Sequence, residues 1–430
     1  MVGIAGILTP IHTFLTRNRL RQMLEEGVDP ASIWIDDNNN TGFSHQQSYL
    51  HYTICFDGDI YNAPSLRMFL ESKGYHFPDM SNAIIVMAAY DFWKEKCMEE
   101  LRGAFAFALY NSKEQSLLLT RDRLGEKPLF YYGDFRERGR FVQLIFASNM
   151  QSLWNIGAPQ VLDPTMVLNY LTLGYTTNPN KKMATFYSDI LALPPGNFLK
   201  IFPKEGKTQM RNWYRPNIQK NEALTDEEAV NGFGSILSQS LSDCTNNLEE
   251  SSLSFISNII NNSNSSSSIY ENDALSMFDP FCKTMEEPVA NISVIQQFAH
   301  ASDIAQQNNE ILLSEIGFNE IFGRKNNYQL AYLQYLIRNN YKLFQKEKKL
   351  FRQNGNLDNW KISHYWQAFS PKKTAQQKQN ELIKQQNNFP FLNEDFLLRY
   401  QNIDMLRQPE THQPEDAMYF DIFTLGLEEQ

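Results

Sequence analysis

Met1-Val2-Gly3-Ile4-Ala5-Gly6-Ile7 opens the chain as an apolar run with two glycines and no reactive side chain. Glycines in such a run imply positive φ or close backbone approach. Outward from it, the first two hundred residues alternate short strands and helices. Residues 49–56 read as a strand that ends at a turn, Asp57-Gly58. Residues 64–72 read as a helix with Leu66, Phe69 and Leu70 on one face, and 83–96 as a second helix. The segments 104–110, 117–121, 129–132 and 141–147 are apolar runs of strand length. That many strands beside two helices predict an α+β sandwich. A boundary is expected after Trp213-Tyr214-Arg215-Pro216, giving domains 1–213 and 214–430.

The length of 430 residues suits two cores, and 42% hydrophobic with 13% aromatic residues suits a folded globule. A net charge of −10 argues against a general nucleic-acid binder. No apolar run is long enough to cross a bilayer, and no basic region precedes an apolar core at the N-terminus. A cytoplasmic chain with neither nucleic acid nor membrane as partner is therefore expected. Cys55, Cys97, Cys244 and Cys282 form no CxxC pair, so reduced structural thiols are expected rather than zinc or disulfides.

The second half differs in character. Residues 225–243 carry helix signals, with Thr225 as cap and Asp226, Glu227 and Glu228 in the first turn. Residues 261–268 are all Ser or Asn, a composition that marks a mobile loop. Residues 294–350 read as helical. The Lys/Gln-rich segment 372–386 reads as a solvated helix or a disordered link.

Several blocks together resemble the asparagine synthetase B family. They are the N-terminal run, Phe56-Asp57-Gly58-Asp59-Ile60-Tyr61-Asn62, Leu101-Arg102-Gly103-Ala104-Phe105-Ala106-Phe107-Ala108, Thr120-Arg121-Asp122-Arg123-Leu124-Gly125-Glu126-Lys127-Pro128-Leu129, Phe146-Ala147-Ser148 and Leu193-Pro194-Pro195-Gly196. They occur in the family's order. The resemblance implies a four-layer αββα sandwich of the Ntn-hydrolase type, which hydrolyses glutamine. A mostly helical, reduced α/β ATP-pyrophosphatase-like domain would follow it. There aspartate is adenylated with ATP and Mg²⁺ and attacked by the ammonia. Glutamine, aspartate and ATP are the partners so implied.

Residue by residue, the glutaminase half departs from the family. The nucleophile position holds Val2, where the family has a cysteine whose α-amine acts as base. The oxyanion-hole pair, an Asn side chain and the next N–H, falls on Asp57 and Gly58. An ionised Asp57 cannot donate a hydrogen bond. The acid that holds the substrate ammonium falls on Asn82, in Ser81-Asn82. The arginine that holds the substrate carboxylate has its nearest match in Ala31-Ser32-Ile33-Trp34-Ile35-Asp36, and no Arg occurs from residue 27 to 66.

The synthetase half departs as well. The phosphate loop resembles Phe255-Ile256-Ser257-Asn258-Ile259-Ile260-Asn261, with Ile256 and Ser257 at ATP-site positions, both glycines gone and Asn261 replacing a Mg²⁺-binding Asp. The alternative is a plain polar loop after a strand. Glu286-Glu287-Pro288-Val289-Ala290-Asn291 resembles a second block. In Ser314-Glu315-Ile316-Gly317-Phe318-Asn319-Glu320-Ile321-Phe322-Gly323, Ser314 and Gly317 fit the ATP site. Ile316 stands where a proton-accepting Glu belongs, and Asn319 where a second Mg²⁺-binding Asp belongs. Pro390-Phe391-Leu392-Asn393 resembles a last block, with Asn388 in the place of an Arg. The family continues well past it, which reads here as a shortened synthetase-like region.

Three readings compete. The first is a catalytically impaired protein or pseudoenzyme that keeps the fold to bind a protein partner or a further copy of itself, with no cofactor expected. The second is an active, divergent synthetase that uses ATP with glutamine or ammonia. The third is a ligase of the β-lactam or macrocycle type, which would need the phosphate loop intact.

Overall fold

Strict alternation of side chains builds the first part of the molecule. The strands are β1 (Ala5–Leu8), β2 (Trp34–Ile35), β3 (Thr41–Phe43), β4 (Gln46–Tyr49), β5 (Tyr52–Ile60), β6 (Gly103–Asn111), β7 (Ser116–Arg121), β8 (Phe130–Arg136), β9 (Arg140–Ala147), β10 (Ile190–Ala192), β11 (Asn197–Phe202) and β12 (Lys207–Asn212). They form two six-stranded sheets, in the orders β10-β8-β9-β1-β3-β2 and β12-β11-β7-β6-β5-β4. Every paired neighbour is antiparallel. This is a computed structural model, and it describes residues 3–9, 15–24, 33–36, 41–44, 46–136, 140–216, 224–244, 271–289, 294–295, 297–299, 302, 318–323, 326–353 and 360–422.

On β6, Phe105, Phe107 and Leu109 enter one core while Ala106, Ala108 and Tyr110 enter another. The first core is closed by the helices Ala63–Ser72 and Asn82–Trp93, through Leu66, Leu70 and the run Ala83 to Tyr90. The second lies between the sheets, where Leu117, Leu119 and Leu199 meet Ile4, Leu8, Leu144 and Phe146. Ala5, Ile7, Ile145 and Ala147 face a third core with Leu20, Met150 and Leu153 from the helices Arg17–Gln22 and Met150–Trp154. The layers are thus helix, sheet, sheet, helix. Each large apolar side chain buried in these cores contributes about 1.5–3 kcal/mol relative to exposure.

One sequence expectation is corrected. Asp57-Gly58 is no turn. β5 runs through it to Ile60, with Asp57 opposite Ala106 and Gly58 opposite Phe105. Gly58 takes φ 119, and a Cβ there would lie 2.0 Å from the Ala104 carbonyl oxygen. The glycine therefore serves close strand approach within the ladder. The reversal comes earlier, where β4 hands over to β5 through Leu50, with φ 58.

By contacts the chain divides into two compact units, residues 1–161 with 187–267, and 162–186 with 268–430. This differs from a division at 213/214, because residues 162–186 are bound into the second unit. There the helix Pro164–Leu173 meets the helix Pro371–Asn387. Gln386 is fully buried and donates to Asn169 Oδ1 at 2.7 Å and Thr172 Oγ1 at 3.3 Å. So 371–387 is a docked helix, not a disordered link. A separate small core joins the helices Asn326–Asn339, Tyr341–Gln353 and Ile362–Ala368 through Leu333, Leu336, Ile337, Phe344 and Ala368. Among the described residues of this unit the regular elements are helices, and none is a strand. The strand expected ahead of Ser257 lies outside the described residues. The helix expected at 225–243 is Asp226–Cys244, and Thr225 and Glu228 cap it reciprocally, at 3.3 and 2.9 Å. Among the described residues no helix is long and apolar enough to cross a membrane.

Candidate functional site

The start of β1 and the residue before it are fastened by two serines. Ser148 Oγ accepts from the Ile4 N–H at 2.9 Å, and Ser44 Oγ from the Ala5 N–H at 3.1 Å. Gly6 is needed for packing, since a Cβ there would lie 2.2 Å from the Phe146 ring. Val2 lies outside the described residues, so its expected place beside Asp57-Gly58 does too.

Asp57 is held by charge. Lys127 Nζ stands 3.2 Å from Asp57 Oδ1, with side-chain exposures of 24% and 14%. A carboxylate facing an ammonium accepts and does not donate. Lys127 is positioned by a loop that two neighbouring side chains organise. Asp122 accepts the N–H groups of Leu124, Gly125, Glu126 and Lys127, and Arg121 donates to the carbonyls of Gly125, Lys127 and Leu193. Burial first, and the Asp122 carboxylate second, push the Glu126 carboxyl above the ordinary range.

Asn82 opens the helix Asn82–Trp93, and its Nδ2 donates to Asp59 Oδ1 at 3.1 Å. Ser81 Oγ donates to Gln47 Oε1. Gly58, Ser81 and Asn82 line a pocket of about 350 Å³, together with Gln46, Gln47, Ile54, Phe56 and Ala83. The structure thus brings the expected positions 58 and 82 to one cavity, while Asp57, on the opposite side of β5, pairs with Lys127. No basic side chain is among the described residues lining the pocket. The segment expected to match the arginine clamp is used for packing. Trp34 packs in tilted contact with Phe43 and Tyr110, ring centroids 5.3 and 5.7 Å apart, and buried Asp36 accepts the Thr41 N–H at 2.8 Å.

Two features of this site were quoted in the sequence motifs but given no role there, the Lys127 partner of Asp57 and the Asp59 acceptor of Asn82. Gln46 and Gln47 carried no sequence signal at all. Cys55 is the thiol nearest in sequence to Asp57, but it is no substitute nucleophile. It is buried between the sheets and donates to the Ser44 carbonyl at 2.8 Å, and burial pushes its pKa up to about 12.

Of the synthetase positions, Ile256, Ser257, Asn261, Ser314, Ile316 and Gly317 lie outside the described residues. Asn319 falls in the short helix Phe318–Ile321. Among the described residues no group of three or more His, Cys, Asp and Glu could hold a metal ion. The described residues of the block at 286–291, which are 286–289, serve structure. Glu287 Oε1 accepts the Phe186 N–H at 2.6 Å, and the Val289 carbonyl accepts from Tyr170 at 3.1 Å. Asn393 caps the helix Glu394–Tyr400 by accepting the Asp395 N–H at 2.8 Å.

Residues 1–214 match the family described as the glutamine amidotransferase domain. With its two sheets and flanking helices, this part of the chain is a class II glutamine amidotransferase domain. Asparagine synthetase (glutamine-hydrolyzing) 3 of Bacillus subtilis (strain 168) is 29% identical over 181 residues, covering 41% of this chain and 28% of that protein. Asparagine synthetase (glutamine-hydrolyzing) 1 of the same organism is 30% identical over 176 residues, covering 41% and 26%. Asparagine synthetase (glutamine-hydrolyzing) 2 is 25% identical over 277 residues, covering 57% and 35%. The 57% of this chain that this match covers is more than residues 1–214 can supply, so the similarity continues past the domain. The chain is thus similar to these asparagine synthetases, and it spans about a third or less of the length of each.

Proposed function

We propose that this chain is a non-catalytic member of its family, which keeps the amidotransferase scaffold and works by binding a protein partner. The ion pair between Asp57 and Lys127 at 3.2 Å carries the reading. Glutamine hydrolysis builds negative charge on the amide oxygen, and a preorganised donor there is worth about 10²–10³ in rate. In this chain a carboxylate stands at that position, paired with the Lys127 ammonium. Val2 supplies no nucleophile, and Asn82 gives its amide to Asp59 instead of offering a carboxylate to a substrate ammonium. Aspartate, ATP and Mg²⁺ belong to the family's synthetase chemistry. The substitutions Asn261, Ile316 and Asn319 speak against that chemistry here by removing two hard-cation ligands and a proton acceptor.

The test is ammonia release from glutamine and aspartate-dependent pyrophosphate release with Mg-ATP. Both are expected to be absent in the natural chain. Val2→Cys alone is expected to leave ammonia release absent, because Asp57 and Asn82 still oppose the reaction. Turnover by that single variant, or tight Mg-ATP binding in a calorimetric titration, would return the chain to the active-synthetase reading.

A further inference from the structure

Strand β5 is open along half of one side. β6 pairs with all of it, Tyr52 to Ile60, whereas β4 pairs only with Tyr52 to Cys55. Among the described residues no strand lies beside Phe56 to Ile60 on the β4 side. The direction of the backbone groups follows from β6. The Phe105 N–H donates to Asp122 Oδ2 at 3.3 Å, and its carbonyl accepts the Asp122 N–H at 2.8 Å. In an antiparallel ladder a residue turns both groups to one side, so Phe105 turns away from Gly58 opposite it. Gly58, and Phe56 two residues earlier, then point their N–H groups to the open side, and among the described residues nothing meets them there. The pocket of about 350 Å³ lies along this stretch, and Gln47, Ser81 and Asn82 line it with uncharged polar groups. Exposed Asp59 stands beside it, with Oδ1 accepting from Asn82. At the far edge of the same sheet Lys207 and Arg211 guard β12 against pairing, while Phe56 to Ile60 hold no lysine, arginine or proline.

Resting on the reading that the chain binds a protein partner, we infer that the partner supplies a short extended segment that pairs with Phe56 to Ile60 as an added strand. Its chemistry is read from three features of the edge. Unmet N–H groups two residues apart on a strand are answered by carbonyls at the same spacing, which an extended backbone provides. The side chain opposite Gly58 falls on the face where Gly58 has none, and it enters a pocket of neutral amides and a hydroxyl. A charge there would lose water without gaining a counter-charge, so the side chain is uncharged and polar. The next residue lies opposite Asp59, on the other face. Asp57 is already matched by Lys127, which leaves Asp59 to pair with a basic side chain across the strands. The segment runs antiparallel, as every paired neighbour in this sheet does.

Hydrogen exchange of the full chain, read by mass spectrometry, tests it. The probe is the acetylated and amidated pentapeptide Thr-Lys-Gln-Val-Ser. Laid antiparallel, it sets its lysine opposite Asp59, its glutamine opposite Gly58 and its serine opposite Phe56. The Phe56 and Gly58 amides are expected to exchange fast in the free protein, although they lie within a strand, and to slow by about tenfold or more at saturating peptide. Methylating the glutamine and serine nitrogens of the peptide removes its ladder donors and is expected to abolish the protection. Glutamate in place of its lysine is expected to weaken binding. Ser81→Phe fills the pocket and is expected to lose the protection while its melting temperature stays that of the natural chain. Slow exchange at Phe56 and Gly58 without peptide, no protection by the peptide, or equal protection by the methylated one would overturn the added strand. Protection by free glutamine alone would overturn it too, in favour of an amino-acid site. Ammonia release decides the non-catalytic reading separately: its absence together with no peptide protection would sink the added strand and leave that reading standing.

Discussion

Asn82→Asp puts back the acid that the family resemblance implies, and in this chain it should destabilise. Three effects compete. The hydrogen bond from Asn82 Nδ2 to Asp59 Oδ1, 3.1 Å long, is lost, at about 0.5–1 kcal/mol for a partly exposed pair. Two carboxylates then face each other at nearly contact distance, which costs about 1 kcal/mol even with the screening of bulk water. Against these, residue 82 begins the helix Asn82–Trp93, where a negative charge gains about 0.3–1 kcal/mol from the helix dipole. The net is a loss of about 1 kcal/mol, which for a domain of this size lowers the melting temperature by roughly 2–4 °C. Scanning calorimetry at neutral pH and low salt measures it. Salt should narrow the gap, because the repulsion is screened while the missing hydrogen bond stays missing. Acid should narrow it too, because the crowded pair holds a proton at higher pH than either carboxyl would alone, and the protonated member can donate again. A variant as stable as the natural chain, or more so, would refute the Asn82–Asp59 contact on which the reasoning stands.

Two further outcomes concern the scaffold. Gly58→Ala forces a Cβ to within 2.0 Å of the Ala104 carbonyl oxygen at φ 119, so a loss of about 3 kcal/mol or more is expected, seen as a fall of roughly 10 °C in melting temperature. Glu126→Gln should stabilise at neutral pH and flatten the pH profile of stability. Burial, then Asp122, raise the Glu126 carboxyl pKa in the folded state, so its ionisation costs stability that is present in acid and lost as pH rises through the raised value. Equal urea midpoints for the two proteins across that range would show that the raised value plays no part.

Much of the first unit was legible because its signals are local. Alternation on β6 and β7 is a period-two pattern, and the Arg121-Asp122 loop is organised by side chains adjacent in sequence. Asp57-Gly58 misled because Asp-Gly is a turn signal when read alone, while its cross-strand partner Phe105 lies nearly fifty residues on. The true reversal at Leu50 uses a non-glycine residue with φ 58, which no turn rule flags. At the candidate site, Val2 at the nucleophile position and the amide Asn82 at the position of an acid are expectations that rest on the motifs alone. The answering partners, Lys127 and Asp59, were hidden, because pairing between side chains is decided by the fold. The docked helix 371–387 was ambiguous for a similar reason. Its buried contact is polar, Gln386 to Asn169, and a polar residue in a Lys/Gln-rich run looks solvated.

The placement of the thiols gives the molecule a built-in chemical clock. Cys55 lies between the two sheets, and Cys97 lies on the far side of the same sheet beneath the helices, both fully shielded. Burial raises the pKa of each, so neither reacts until its own layer parts. Cys282, exposed on the helix Glu271–Thr284, is open to reagent from the start. A maleimide added during slow unfolding would mark these layers in the order in which water reaches them. Peptide mapping of the adducts could then separate the peeling of helices from the parting of sheets.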